Sequence, residues 1–211
     1  MIIIRTDHDT LTHYLHEWSS SLIKLAKEKG FNVTDIKGKE IDNVNVKNRI
    51  SKHNPSLVFF NGHGSKDSLF NNDEKVFIDI KDAAIFKNRV VYTRACDCLK
   101  ELGKKSVEKG CDSFIGYKNK FILTWKNSMI SRPLQDNVAK PILEASNLII
   151  EKLLKGSTVK EAVDASHEYS AKKIIELIYS EDIYAHPSLP AIVHNDAVLD
   201  IEGNSEAKII N

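Results

Sequence analysis

Hydrophobic residues along the chain fall into short continuous runs separated by polar segments. Such runs predict β-strands, and the run LVFF at residues 57–60 has no polar alternation, as is typical of a central strand buried on both faces. The other runs that we interpret as strands cover residues 1–5, 31–36, 76–80, 89–93 and 113–117, with one or two more within 192–201. The chain is therefore expected to build a sheet from several short strands.

Between these runs, apolar residues recur every three or four positions, which predicts amphipathic helices. The clearest helix covers residues 11–29 and ends at Gly30, and another, at about 159–179, begins with the capping box Thr158-Val159-Lys160-Glu161. Further helices are predicted at residues 46–53, 99–109 and 138–155, and a polar loop at 64–72. Strands that alternate with helices favour an α/β fold with a mostly parallel central sheet and helices on both faces.

The length of the chain and the absence of a low-complexity linker bear on its domain organisation. A chain of 211 residues is long enough for a sizeable core and fits a single domain. We therefore expect residues 1–211 to form one domain, in which the C-terminal helices between residues 138 and 180 pack on the same sheet.

Charge and cysteine content limit the class of partner and the compartment. The 30 basic and 29 acidic residues leave a net charge of +1, so nothing favours nucleic acid or a membrane surface as the main partner. No apolar stretch approaches the roughly eighteen residues of a membrane helix, and no targeting segment is evident. The three cysteines are expected to be reduced thiols, which predicts a cytoplasmic protein.

Two reactive residues each follow a strand that is predicted to be central in the sheet. His63 follows the strand at 57–60, and Cys96, 33 residues after His63, follows the strand at 89–93. Functional groups of open parallel sheets collect at the carboxyl ends of central strands, and neighbouring strands lie about 4.8 Å apart. If these two strands are neighbours, His63 can act as base and then as acid for a nucleophilic Cys96 thiolate.

Two glycines flank the histidine, and a second cysteine follows the first. Gly62 and Gly64 permit backbone geometry or a close approach that larger residues would block. The amides of Gly64 and Cys96 can donate to a developing oxyanion. Cys98 would point to the same side as Cys96 if the strand continued, so Cys98 is an alternative nucleophile, although Cys96 lies nearer the end of the strand.

These motifs resemble those of the clan CD, or caspase-like, cysteine peptidases. The resemblance begins with an apolar strand followed by His63-Gly64 and a second strand that ends in Ala95-Cys96. The group includes caspases, metacaspases, gingipains, clostripain, separase and the bacterial CHAT domains. The stretches KKSVEKGCDSFIGY, LLKGSTVKEAVDAS and LPAIVHNDAVLDIEG are most similar to the prokaryotic CHAT, gingipain and clostripain-like domains.

The resemblance implies a caspase-like three-layer sandwich and a cysteine endopeptidase that forms a thioester acyl-enzyme and needs no cofactor. It also implies that Arg94 and Arg5 contribute to the pocket for the substrate side chain before the cut, which would favour an acidic side chain. Alternatively, Arg94 pairs with Asp97 or another internal carboxylate. The expected partners are a protein or peptide substrate and an activating protein or ligand.

Two metal sites are conceivable from the sequence. A nominal zinc set consists of His63, Cys96, Cys98 and Cys111. Its cysteines lack the usual Cys-x-x-Cys spacing. A second group lies near the N-terminus and consists of His8, Asp9, His13 and His16. Groups of this kind on the first turn of a helix are more often solvated surface residues, so we expect no metal.

Two functions other than proteolysis are also considered. The chain is alternatively a catalytically inactive caspase-like module that serves as a binding or scaffold part of a regulatory or defence complex. A flavodoxin-like nucleotide-binding protein is disfavoured, because no glycine-rich phosphate loop follows the first strand at residues 1–5.

Overall fold

The computed structural model describes residues 1–181 and 186–210. Within these ranges the chain forms a six-stranded sheet and a separate two-stranded hairpin. The strands are β1 (Ile2–Arg5), β2 (Thr34–Lys37), β3 (Leu57–Asn61), β4 (Ser68–Phe70), β5 (Val76–Asp79), β6 (Val90–Arg94), β7 (Ser113–Tyr117) and β8 (Leu199–Gly203). The helices are α1 (Thr10–Trp18), α2 (Ser20–Glu28), α3 (Asn43–His53), α4 (Lys104–Glu108), α5 (Lys140–Leu154), α6 (Val159–Ile178) and α7 (Leu189–Val198).

The strands of the main sheet lie in the order β2-β1-β3-β6-β7-β8. All neighbouring pairs are parallel except β7 and β8, which are antiparallel. Every residue of β1, β3 and β6 is buried, because these strands are flanked by others and covered on both faces. The predicted mostly parallel α/β sheet is thereby confirmed.

Side chains of the central strands alternate between two apolar cores, one on each face of the sheet. Ile3 and Phe59 belong to the core that α1, α2, α5 and α6 cover. Ile4 and Phe60 belong to the core that α3 and the β4-β5 hairpin cover. A strand with an apolar layer on both faces has no solvent-facing position, which explains the unbroken run LVFF.

The C-terminal helices α5 and α6 pack against each other and against the first core. The predicted capping box is present at the start of α6, where Thr158 Oγ1 accepts from Glu161 N at 3.1 Å and Glu161 Oε2 accepts from Thr158 N at 2.8 Å. The division into domains stays a prediction. None of the helices in the described ranges is long and apolar enough to cross a membrane.

The predicted helix at residues 11–29 is two helices, α1 and α2, which meet at Ser19. The His16 carbonyl accepts from Arg5 Nη1 at 2.8 Å and from Ser19 Oγ at 2.8 Å. Side-chain donors thus compete for a carbonyl that a continuous helix would pair with an amide four residues later. The chain consequently breaks where a buried arginine reaches the helix backbone.

Two further predictions of secondary structure are wrong. The segment at 64–72 is not only loop, since it contains β4, which pairs with β5. Much of the segment at 192–201 is helix α7, with a strand only from Leu199 onward. A short apolar run does not distinguish a strand from a buried helix, and Pro190 in the first turn of α7 favours a helix start.

Candidate active site

The carboxyl ends of β3 and β6 lie side by side and in register. Asn61 pairs with Arg94 as the last residue of each strand, and one further bond runs from Gly62 N to Arg94 O at 3.3 Å. His63 and Cys96 each lie two residues beyond this pair. The condition on which the pairing of His63 with Cys96 depended, that their strands are neighbours, is therefore met.

Strand β1 brings a carboxylate to the same edge of the sheet. Thr6 N donates to Asn61 O at 3.0 Å, so the chain stays beside β3 as it leaves β1. Three residues later Asp9 forms the N-cap of α1, and its Oδ2 lies 2.5 Å from His63 Nε2. Asp9, His63 and Cys96 thus follow β1, β3 and β6, three adjacent strands.

The two oxygens of Asp9 have different partners. Oδ1 accepts from Thr12 N at 2.7 Å and from Thr12 Oγ1 at 2.8 Å, which caps the helix. Oδ2 is left for His63. Burial raises the pKa of Asp9, but hydrogen bonds from Thr12 and His63 outweigh it and lower the pKa below its usual value. The carboxylate is consequently ionised and held in a fixed orientation next to the imidazole.

The contact with Asp9 determines which nitrogen of His63 is available for chemistry. An ionised carboxylate accepts, so we assign the ring proton to Nε2. Nδ1 is then the nitrogen that can accept a proton. The side chain is 32% exposed, so a bound substrate can reach it.

Asp9 is the residue of the candidate site that the sequence did not identify as a partner of His63. The sequence grouped it with His8, His13 and His16 as a surface cluster. The available signal was its position just past the first strand, at the edge where parallel strands end together. That signal requires β1 to be adjacent to β3, and the strand order cannot be read from the hydrophobic pattern.

The structure separates the two candidate nucleophiles by burial. Cys96 is partly exposed, whereas Cys98 is fully buried and its thiol lies 3.3 Å from the Cys96 carbonyl. Burial raises the pKa of Cys98 strongly. Burial also raises the pKa of Cys96, although a hydrogen bond from the Phe121 backbone opposes the shift. Cys96 is therefore the better placed thiol.

The glycines on either side of His63 are required by close contacts. A Cβ on Gly64 would lie 2.5 Å from Cys98 Sγ, and a Cβ on Gly62 would lie 2.5 Å from Thr6 Oγ1. The predicted close approach is thus present at both positions. Neither the Gly64 amide nor the Cys96 amide donates to an acceptor within the described residues, so both remain available for an oxyanion.

Arg94 is fully buried on the α5 side of the sheet. Its Nε donates to Asn61 Oδ1 at 2.5 Å, and its Nη1 donates to Asn147 Oδ1 at 2.8 Å and to Ser146 Oγ at 3.1 Å. Burial lowers its pKa to about 10, which leaves it charged at neutral pH. The alternative pairing with Asp97 is wrong, since in the described chain that carboxylate pairs with Lys100.

Arg5, the second arginine predicted to bind substrate, is 4% exposed. Its Nε and Nη2 form a two-pronged pair with Asp35, at 2.9 Å and 2.5 Å. The guanidinium is therefore hydrogen-bonded to β2 and to the junction of α1 with α2. Neither arginine lies at the surface next to His63, and their role in substrate binding stays a prediction.

The predicted zinc set is not brought together. Cys111 precedes β7, whose first residue, Ser113, pairs with Val90 at the start of β6. It therefore lies at the opposite end of the sheet from Cys96. The N-terminal group is brought together only in part: His13 pairs with Asp7 on the surface, while His8 and Asp9 approach His63.

The fold resembles that of known cysteine proteinases. Gingipain R, an Arg-specific cysteine proteinase, superposes with a TM-score of 0.64 at 11% identity over 99% of this chain and 46% of its own. The complex of the pro- and mature domains of RgpB from Porphyromonas gingivalis gives a TM-score of 0.60 at 10% identity, over 99% and 48%. A structure described as a protease gives 0.55 at 12%, over 99% and 48%.

These similarities define the class of fold. The chain matches no protein-family model and no curated protein. It has the gingipain and caspase-like fold, an α/β sandwich around a mostly parallel sheet, as predicted. It spans about half the length of the chains that it resembles. The identities are too low to carry an activity from those proteins to this one.

Burial of the thiols generates a prediction about their reactivity. We expect iodoacetamide to alkylate Cys96 in the folded protein and to spare Cys98 and Cys111, because only Cys96 is partly exposed. A raised pKa means that the Cys96 thiolate is scarce at neutral pH, so the rate should keep rising as pH passes the ordinary value of 9.0. Peptide mass mapping from about pH 7 to about pH 10 measures this, and a plateau below about pH 8 would contradict it.

Proposed function

We propose that this chain is a cysteine endopeptidase, with Cys96 as nucleophile and His63 as general base and acid. The observation that carries the proposal is the placement of a carboxylate-bound imidazole and a partly exposed thiol past the paired ends of β3 and β6. Asp9 acts as a positioning residue, because it touches the imidazole rather than the reacting atoms. The similarity in fold to cysteine proteinases supports the proposal of a cysteine peptidase.

The first half of the reaction forms a thioester. His63 Nδ1 takes the proton of Cys96 as the sulfur attacks the carbonyl carbon of the peptide bond. The carbonyl oxygen becomes an oxyanion, which accepts from the amides of Gly64 and Cys96. The imidazolium, stabilised by the ionised Asp9, then gives its proton to the leaving amine as the carbon–nitrogen bond breaks.

The second half of the reaction regenerates the thiol. Neutral His63 removes a proton from water, whose oxygen attacks the thioester carbonyl carbon. The new oxyanion occupies the same pair of amides, and the carbon–sulfur bond breaks as His63 returns the proton to Cys96. Because the thiol pKa is raised by burial, the thiolate forms by transfer to His63 during attack rather than existing beforehand.

Substitution of the dyad tests the proposal. We expect Cys96→Ala and His63→Ala each to reduce kcat by at least about 100-fold on a peptide library, since each removes a group that handles the transferred proton or forms the bond. Cys98→Ala is the matched control and should keep most activity. Full activity in both Cys96→Ala and His63→Ala would refute the mechanism.

The wild-type protein and the same variants also distinguish the peptidase from the alternative function, an inactive binding or scaffold module. This alternative predicts that Cys96 is alkylated by a thiol reagent while no peptide is cleaved. An absence of turnover in wild-type protein whose Cys96 titrates fully would favour that alternative over the peptidase.

The role of Asp9 can be separated from its role as a helix cap. Asn is as good an N-cap as Asp, so Asp9→Asn should keep α1 intact while it removes the charge next to His63. We expect kcat to fall at least about tenfold with little change in KM or in melting temperature. Asp42→Asn, at the N-cap of α3, is the control. A fall in melting temperature alone, with kcat unchanged, would show a purely structural role.

The family resemblance also implies that the enzyme prefers an acidic side chain at the substrate residue before the cleaved bond. The buried position of Arg94 gives it no support, because the guanidinium is 0% exposed and bonded to neutral groups. Its Nη2 is the one guanidinium nitrogen without a hydrogen-bond partner in the described chain, but it is buried, so an acidic substrate side chain would have to enter the interior of the protein to reach it.

A panel of fluorogenic peptides that differ at this residue tests the preference. If Arg94 contacts the substrate, cleavage should be fastest after Asp or Glu, and Arg94→Met should remove that advantage by about tenfold or more. Melting curves serve as the control for folding. Fastest cleavage after Lys or Arg would make the acidic preference wrong.

A further inference from the structure

A group of metal-ligating atoms lies beside the proposed dyad. One ligand atom from each of His8, Asp9 and His63 lies within 4.8 Å of the others. Across residues 1–181 and 186–210, no other three residues of these types bring their ligand atoms so close together. The three come from two segments, the turn after β1 and the turn after β3, which the parallel sheet places side by side.

The imidazole of His8 lacks a partner. Both of its ring nitrogens are buried, and neither forms a hydrogen bond within the described residues. The ring meets the ring of His63 edge to face, with centroids 5.5 Å apart. The His8 backbone is fixed, since its amide donates to Thr12 Oγ1 at 3.0 Å. A buried nitrogen without a partner is costly, and a metal ion is a partner that an imidazole can take.

We propose that His8, Asp9 and His63 bind a single Zn²⁺ ion, and that this ion inhibits the enzyme by occupying the imidazole that Cys96 requires. The inhibition rests on the proposed peptidase function, whereas the metal site itself does not. Zinc is the expected ion because two imidazoles and one carboxylate suit it, while Ca²⁺ and Mg²⁺ prefer sets made of oxygen ligands.

The ion takes the place of a proton. Nε2 of His63 and Oδ2 of Asp9 lie 2.5 Å apart across a hydrogen bond. Two ligands of tetrahedral zinc, each about 2.0–2.2 Å from the ion, lie about 3.4 Å apart. The pair must therefore open by about 1 Å and release the shared proton as the ion enters. Thr12 continues to hold Oδ1, so the carboxylate stays oriented.

Coordination at Nε2 disables the base at Nδ1. The charge of the ion lowers the basicity of the imidazole ring, so Nδ1 no longer takes the proton of Cys96. The Asp9 carboxylate is at the same time withdrawn from its role as partner of the imidazolium. Both effects act on proton transfer and leave the approach of the substrate to Cys96 untouched.

Calorimetric titration of metal-stripped protein with zinc chloride tests the site without any measurement of activity. We expect one equivalent to bind wild type and His13→Ala, and at least about 100-fold weaker binding in His8→Ala. His13 is the matched control, because it is a nearby histidine in the first turns of α1 that pairs with Asp7 at the surface instead of with His63. Cys96→Ala should bind as wild type does. Circular dichroism confirms folding, and His8→Gln replaces His8→Ala if the latter unfolds.

Several outcomes would overturn the site. These are equal zinc affinity in wild type and the His8 variant, loss of binding in Cys96→Ala, and absence of binding to wild type. Binding of Ca²⁺ or Mg²⁺ with the same affinity would show a non-selective surface contact and would overturn it as well.

Peptidase assays then test the inhibition. Zinc should inhibit wild type and His13→Ala at the concentration at which it binds, and the concentration for half inhibition should rise in His8→Ala by the same factor as the dissociation constant. Zinc binding without inhibition of an active enzyme would refute the regulatory role. Absence of turnover in metal-free wild type would refute the peptidase function and, with it, the inhibition by zinc. The calorimetric titration would still show whether the zinc site exists.

Discussion

The in-register parallel pairing of β1, β3 and β6 is the constraint on which the candidate site depends. Asn61 lies at its centre, with its backbone carbonyl bonded to Thr6 N and its side chain bonded to Arg94 Nε. A slip of one residue between β3 and β6 would shift His63 by about 3.3 Å relative to Cys96 and turn the following side chains to the other face. The buried apolar residues on both faces prevent such a slip, because it would move each of them out of its core.

The buried Arg94 connects this edge of the sheet to helix α5. Its hydrogen bonds go to neutral groups, and its guanidinium also lies 5.0 Å from the centre of the Phe59 ring. A buried charge without a carboxylate is costly, and here the polar contacts and the aromatic face offset part of that cost. The family resemblance connects this position with substrate recognition, whereas in this chain the side chain joins β3, β6 and α5 beneath the turns that carry His63 and Cys96.

Asp9 serves two structures with its two oxygens. Oδ1 completes the first turn of α1, and this capping fixes the direction of Oδ2 toward His63. The orientation that suits a positioning carboxylate also suits a metal ligand, since both require an ionised oxygen held beside a neutral imidazole. Proteolysis and its inhibition by zinc would therefore compete for the same atoms.

The local pattern of residues was sufficient to identify the strand LVFF with the histidine at its end, the second strand with Cys96 beyond it, and the capped helix α6. These features can be predicted because burial on both faces and helix capping each depend on residues only a few positions apart. It did not identify Asp9 as the partner of His63, the interior location of Arg94 or the helical start of the segment at 192–201. Asp9 and His63 are 54 residues apart in the chain, and their contact depends on which strands are adjacent. The order of the strands, the face on which each side chain lies and the choice between Cys96 and Cys98 come from long-range packing, since only the assembled sheet and its covering helices determine what is buried.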